Sequence, residues 1–86
     1  MGTVEDDLKA YSSFLNEHRG NKAAAYKSIN EHIRAAVDNE ESRERLERLE
    51  AIRRFLEVAM IQDYMERHGF TQTYNGNISA WEWVQA

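Results

Sequence analysis

Residues 39–68 read NEESRERLERLEAIRRFLEVAMIQDYMERH, and the fold of the chain turns on this stretch. From Glu40 to Arg54 only Leu46, Leu49, Ala51 and Ile52 are apolar, set among alternating glutamates and arginines. Glu41–Arg45, Glu44–Arg48 and Glu50–Arg54 have the i,i+4 spacing and the favourable orientation for helix-supporting ion pairs, about 0.2–0.5 kcal/mol each. From Ile52 to Met65 the character reverses, and Phe55, Leu56, Val58, Ala59, Met60, Ile61 and Tyr64 occupy nearly every side of the helix. A helix that is apolar all round has to be covered all round. The spacing therefore predicts one long helix over 39–68, about 43 Å at 1.5 Å per residue. Its second half, Ile52 to Met65, is expected to form the centre of the core. Its charged first half is expected to overhang the rest of the domain. Asp38 with Glu41 has the spacing of a capping box at its start, and Gly69 ends it.

Upstream, the chain must supply the cover. Thr3 is suited to cap a first helix, and Glu5, Asp6 and Asp7 complement the positive end of its dipole. Val4, Leu8, Tyr11, Leu15 and His18 recur at helical spacing with Phe14 beside them, and Gly20 is a natural stop, so the helix runs from 3 to about 19. Asn21 is placed to cap a second helix over 22–37, with Tyr26, Ile29, Ile33, Ala36 and Val37 as its stripe. The loop between the two is short enough to force an antiparallel hairpin of helices.

Downstream, residues 70–84 are rich in Thr, Tyr, Ile and Trp, and Asn75-Gly76 is the strongest short hairpin-turn signal. A two-residue loop there pairs Tyr74 with Asn77 and Phe70 with Trp81, and places Phe70, Tyr74, Trp81 and Trp83 on one face. The rival is a short helix from Ser79, whose spacing to Glu82 is also that of a capping box. The hairpin is favoured because seven residues make a poor helix alone. The fold class expected is mainly α: one domain over 1–86, two short helices plus one long helix, with a C-terminal β-hairpin or short helix.

Composition narrows the function. The chain has 86 residues, 42% hydrophobic and 30% charged, which suits a single globular domain. Its net charge of −4 gives a poor start for gripping a phosphate backbone. It has no cysteine, which excludes disulfides, thiolate metal sites and thiol nucleophiles. The acidic stretch Met1–Asp7 has no apolar run, so neither a secretory signal nor a membrane span is expected, and the location expected is cytoplasmic. His18, His32 and His68 have no metal-ligand spacing, Ser12, Ser13 and Ser28 lie in helical pattern without a strained elbow, and the glycines are isolated. No enzyme, cofactor or metal is expected.

What remains is surface. Arg43, Arg45, Leu46, Arg48, Leu49 and Arg53, on the overhanging half of the long helix, are the first candidate for contact with a partner protein. A homodimer through 40–56, as a short four-helix contact, is the companion expectation. No heptad seam stays clean long enough for an extended coiled coil. Tyr74, Trp81 and Trp83 are the second candidate, and Tyr and Trp are types enriched at binding hot spots. Their first expected role is to cap the core. No family motif can be quoted from the chain, whose general look is that of small bacterial or phage proteins. The function expected is a non-catalytic protein-binding module, a regulator, adaptor or inhibitor that a phage or mobile element would direct at a host protein complex. Its alternatives are a self-assembling structural or virion component and a nucleic-acid-associated regulator using Arg43, Arg45 and Arg48.

Overall fold

The computed structural model describes residues 4–85. Three helices, α1 (Val4–Glu17), α2 (Lys22–Asp38) and α3 (Arg43–Arg67), are followed by a two-stranded antiparallel hairpin of β1 (Phe70–Asn75) and β2 (Ala80–Gln85). The chain is mainly α, as the periodicity implies, and the C-terminal choice falls to the hairpin. The expected cap at Thr3 lies outside the described residues.

The helix ends explain themselves locally. Asn21 caps α2, its side-chain oxygen accepting from the Ala24 backbone N–H at 3.1 Å. At the end of α1, Gly20 N–H donates to Leu15 O and Arg19 N–H to Asn16 O, both at 2.9 Å, with Arg19 at φ +55°. This is the Schellman pattern, with Arg19 in its left-handed position and the expected Gly20 following it, also left-handed at φ +75°. The same pattern closes α2: Glu41 N–H donates to Ala36 O, Glu40 N–H to Val37 O, and Glu40 sits at φ +51°. α3 consequently starts later than expected. Ser42 caps it, accepting from Arg45 N–H at 3.3 Å, and the capping box of Asp38 and Glu41 does not form.

α1 and α3 run in the same direction and α2 runs against both. Asp7 meets Arg48, Tyr11 packs on Phe55 with ring centroids 5.7 Å apart, and Lys22 at the start of α2 reaches Asp63 near the end of α3. The core where they meet is small. Ala25, Ile29 and Ala36 of α2 and Leu49, Ile52 and Leu56 of α3 are the buried set, with Tyr11, Phe14, Leu15, Tyr26, Ile33 and Leu46 packed partly against it. Its centre on α3 lies at 49–56, earlier than the expected 52–65. The reason is that α1 and α2 cover only part of the circumference of α3: α2 reaches along it as far as Asp63 through Lys22, while Val58 and Ile61 face away from Leu49, Ile52 and Leu56. The charged first half is not the overhang expected, since Arg48 is tied to Asp7 of α1 and Leu49 is buried.

The hairpin pairs Phe70 with Gln85, Tyr74 with Trp81 and Asn75 with Ala80, without a bulge. The expected register is thus corrected by four residues. A two-residue turn at Asn75-Gly76 needs left-handed backbone at both central positions. Gly76 is not left-handed here; Ser79 is, at φ +51°, and Asn77 N–H donates instead to the Asn75 side chain at 2.9 Å. The four-residue loop lets Ala80–Gln85 pair along its whole length and sets Tyr74 edge-on to Trp81 at 5.5 Å. Because a shift of four is even, Phe70, Tyr74, Trp81 and Trp83 still share one face. The hairpin's main contact with the helices is between β1 and α3, and it contributes nothing to the core cluster. The radius of gyration is 15.4 Å and the extents are 45 × 27 × 20 Å, against about 12 Å for a compact chain of this length.

Candidate functional site

The arginines of the first candidate surface are engaged within the chain. Arg45 Nε lies 2.9 Å from Glu41, Arg43 Nε 3.7 Å from Glu47, Arg53 Nε 3.8 Å from Glu57, and Arg48 Nε 3.8 Å from Asp7. Of the three expected i,i+4 pairs, Glu41–Arg45 forms, while Arg48 turns from Glu44 to Asp7 and so ties α3 to α1. Arg45 and Arg48 also line a cleft between the helices whose floor is Phe14, Leu49 and Ile52. Leu49 is buried and Leu46 half-buried against the core. Between Asp38 and Glu57 no large apolar side chain is exposed.

The apolar surface lies further along. Arg43, Glu47, Glu50, Arg54, Val58, Ile61 and Met65 follow one another at spacings of three and four, which places them on one side of α3. This side faces away from Leu49, Ile52 and Leu56. Its first half is charged and in water; its second half puts Val58 at 59% and Ile61 at 56% exposure. α1 and α2 occupy the other sides of α3, and among the described residues Val58 and Ile61 stay largely uncovered. Sequence periodicity could show that α3 is apolar all round, but not that two neighbouring helices leave a third side bare.

The hairpin extends the same character. Trp81 is 65% exposed, Tyr74 52% and Ile78 59%, while Trp83 is half-buried. The expected core-capping role of the tryptophans is therefore corrected for Trp81. Tyr64, near the end of α3, is 59% exposed and packs against His68 in a tilted arrangement, ring centroids 4.3 Å apart.

One polar contact marks where cover by α2 ends. Lys22 Nζ donates to Asp63 Oδ2 at 2.6 Å, both side chains about one-third exposed. The Asp63 hydrogen bond raises the Lys22 pKa above its ordinary 10.5, against a smaller opposing effect of burial. Arg53 pairs with Glu57, one helical turn on. Tyr26 OH also donates to Glu57, at 3.1 Å, a second link from α2 to α3. The His18 and His32 ring Nδ1 atoms lie 2.9 and 2.7 Å from the backbone oxygens of Phe14 and Ser28, one helical turn back. A carbonyl only accepts, so each Nδ1 carries the proton and donates. Among the described residues no group of three or more His, Asp and Glu is placed to hold a metal ion, and no helix is long and apolar enough to cross a membrane.

Compared with known proteins, the chain matches no family model, no curated protein and no solved structure.

Proposed function

We propose that the chain is a small cytoplasmic protein-binding module without catalysis of its own, a regulator, adaptor or inhibitor that a phage or mobile element would direct at a host protein complex. The observation that carries this reading is the imbalance of apolar surface. Ten large hydrophobic side chains stand 38–69% exposed, against six buried residues in the core. Scattered exposed apolar residues are ordinary, but Val58 and Ile61 share one side of α3, Tyr74 and Trp81 share one face of the hairpin, and such residue types mark interface centres. The contact residues proposed are Val58, Ile61, Tyr64, Tyr74 and Trp81. Trp83 supports the aromatic face, and Arg43 and Arg53 provide a charged rim.

The pairing of Arg43, Arg45, Arg48 and Arg53 with carboxylates weighs against the nucleic-acid reading, since each phosphate contact would first have to displace an acid. Self-assembly is favoured by a separate observation, the open edge of β2, considered below.

The test is affinity capture from lysate of the source cells with the wild-type chain, Trp81→Ser and, as a control away from the proposed contact, Lys27→Ser on α2. The proposal expects one polypeptide retained in stoichiometric amount by the wild type and Lys27→Ser, and lost with Trp81→Ser. Retention unaffected by Trp81→Ser, with helical circular dichroism unchanged, would move the contact away from the hairpin and overturn it.

A further inference from the structure

Natural sheets guard their edge strands with lysine, proline, bulges, or a covering helix or loop. β2, Ala80-Trp-Glu-Trp-Val-Gln85, has none of the first three: Glu82 is its single charge, and its register with β1 is continuous. Its inner edge pairs with β1, which leads directly out of α3. Among the described residues no other hydrogen bond reaches its outer edge. A two-stranded hairpin is marginal by itself, and a third or fourth strand is what makes such a sheet independently stable.

We infer that β2 pairs antiparallel with β2 of a second copy, joining two hairpins into one four-stranded sheet. This rests on the protein-binding reading of the same surface and takes a second copy as the partner. The geometry selects the copy and the register together. A two-fold axis perpendicular to a sheet relates antiparallel neighbours and keeps their faces, so Tyr74, Trp81 and Trp83 of both chains fall on one continuous aromatic face. Same-face pairing allows two registers that use most of β2. One sets Glu82 opposite Glu82 of the partner copy, a like-charge pair at the axis, which is unfavourable. The other centres on Trp83 opposite its own copy. It sets Trp81 opposite Gln85 and Glu82 opposite Val84, with no like charges facing. The second is the register assigned here.

Edge-to-edge pairing satisfies the outer backbone groups of β2 and covers the flanks of its side chains, while the joined aromatic face stays in water. A standard interface takes about 800 Å² from each partner, and pairing along one six-residue strand buries less, so the dimer sits at the weak end of specific association.

Val84 is 38% exposed and on the face away from the tryptophans, so a charge there reads the register without removing aromatic surface. Sedimentation equilibrium of the full chain over roughly 1–500 µM should show a reversible monomer–dimer equilibrium. Val84→Glu faces Glu82 of the other copy twice per dimer and should raise the dissociation constant roughly 2- to 30-fold. Val84→Lys faces the same carboxylate and should leave it unchanged or lower it. Because the chain is free of cysteine, mixing Glu82→Cys with Val84→Cys should give a disulfide-linked heterodimer in excess over either variant alone. A chain monomeric at every concentration overturns the pairing, even if it captures another protein through Trp81, and the binding reading then stands without it. A dimer weakened equally by both charges, or by neither, overturns the register and with it the inference.

Discussion

Leu56 and Ile61 lie five residues apart on the same helix, are similar in size, and should respond very differently to truncation. Leu56 is fully buried at the junction of α3 with α2, whereas Ile61 is 56% exposed on the bare side. Leu56→Ala removes a completely buried isobutyl group and leaves a cavity in a core of six residues, which costs about 2.7–5 kcal/mol. A chain of 86 residues has a stability of roughly 4–13 kcal/mol, so this single change removes a large part of it. For Ile61, full burial would contribute about 1.5–3 kcal/mol, and less than half of the side chain is covered. Alanine's better helix propensity returns a few tenths, leaving an expected loss under about 1 kcal/mol for Ile61→Ala. Urea unfolding of both variants at low micromolar concentration, followed by circular dichroism, measures the two losses directly. Equal losses would refute the reasoning, because Ile61 would then be packed as tightly as Leu56 and the side of α3 bearing Val58 and Ile61 would not be bare.

Three further outcomes follow from the helix ends and from the ion pair that Lys22 of α2 makes with Asp63 of α3. Glu40 holds left-handed backbone at φ +51°, so Glu40→Gly should stabilise the chain by about 0.5–1 kcal/mol, measured as a higher urea midpoint. Ser42→Ala removes the oxygen that accepts from Arg45 N–H and should cost about 0.5–2 kcal/mol in the same assay. The Lys22–Asp63 pair makes stability depend on pH at the alkaline end. The Lys22 pKa is raised in the folded chain, so its contribution is fully present below the ordinary lysine value and lost as pH rises through the raised one, above 10.5. Asp63→Asn should cost at most about 1 kcal/mol near neutrality, as both groups are partly exposed, and should shrink the drop in stability between neutral pH and pH about 11 relative to wild type.

How far the sequence foretells this molecule depends on whether the signal is local. Asn21 as a cap, the positive φ of Gly69 just past α3, and the Glu41–Arg45 pair depend only on neighbours in the chain, and each is where the pattern puts it. The corner between α2 and α3 was hidden because Glu40, not a glycine, takes the left-handed position. The hairpin register was hidden because Asn-Gly can close a two-residue turn or begin a longer loop, and the choice depends on how much of Trp81–Gln85 can pair. The core centre on α3 was misplaced for a tertiary reason. Leu49 and Ile52 look like edge residues of a charged segment, yet they join the core with α2, while Ile61 lies on the opposite side of α3. For the candidate surface, Tyr74 and Trp81 were legible from residue type. The bare stripe of Val58 and Ile61 was not, because it exists only once α1 and α2 have taken the other sides.

The central claim is that the C-terminal half of the chain carries apolar surface that its own helices do not cover. Trp81 and Trp83, the two tryptophans of the chain, report on it directly through collisional quenching of fluorescence in dilute solution. The account predicts two accessible classes, with Trp81, at 65% exposure, readily quenched by acrylamide and lost from the signal in Trp81→Phe, and Trp83 partly protected. Blue-shifted emission with both tryptophans shielded in the monomer would mean that the hairpin folds back onto the helices, and would contradict it.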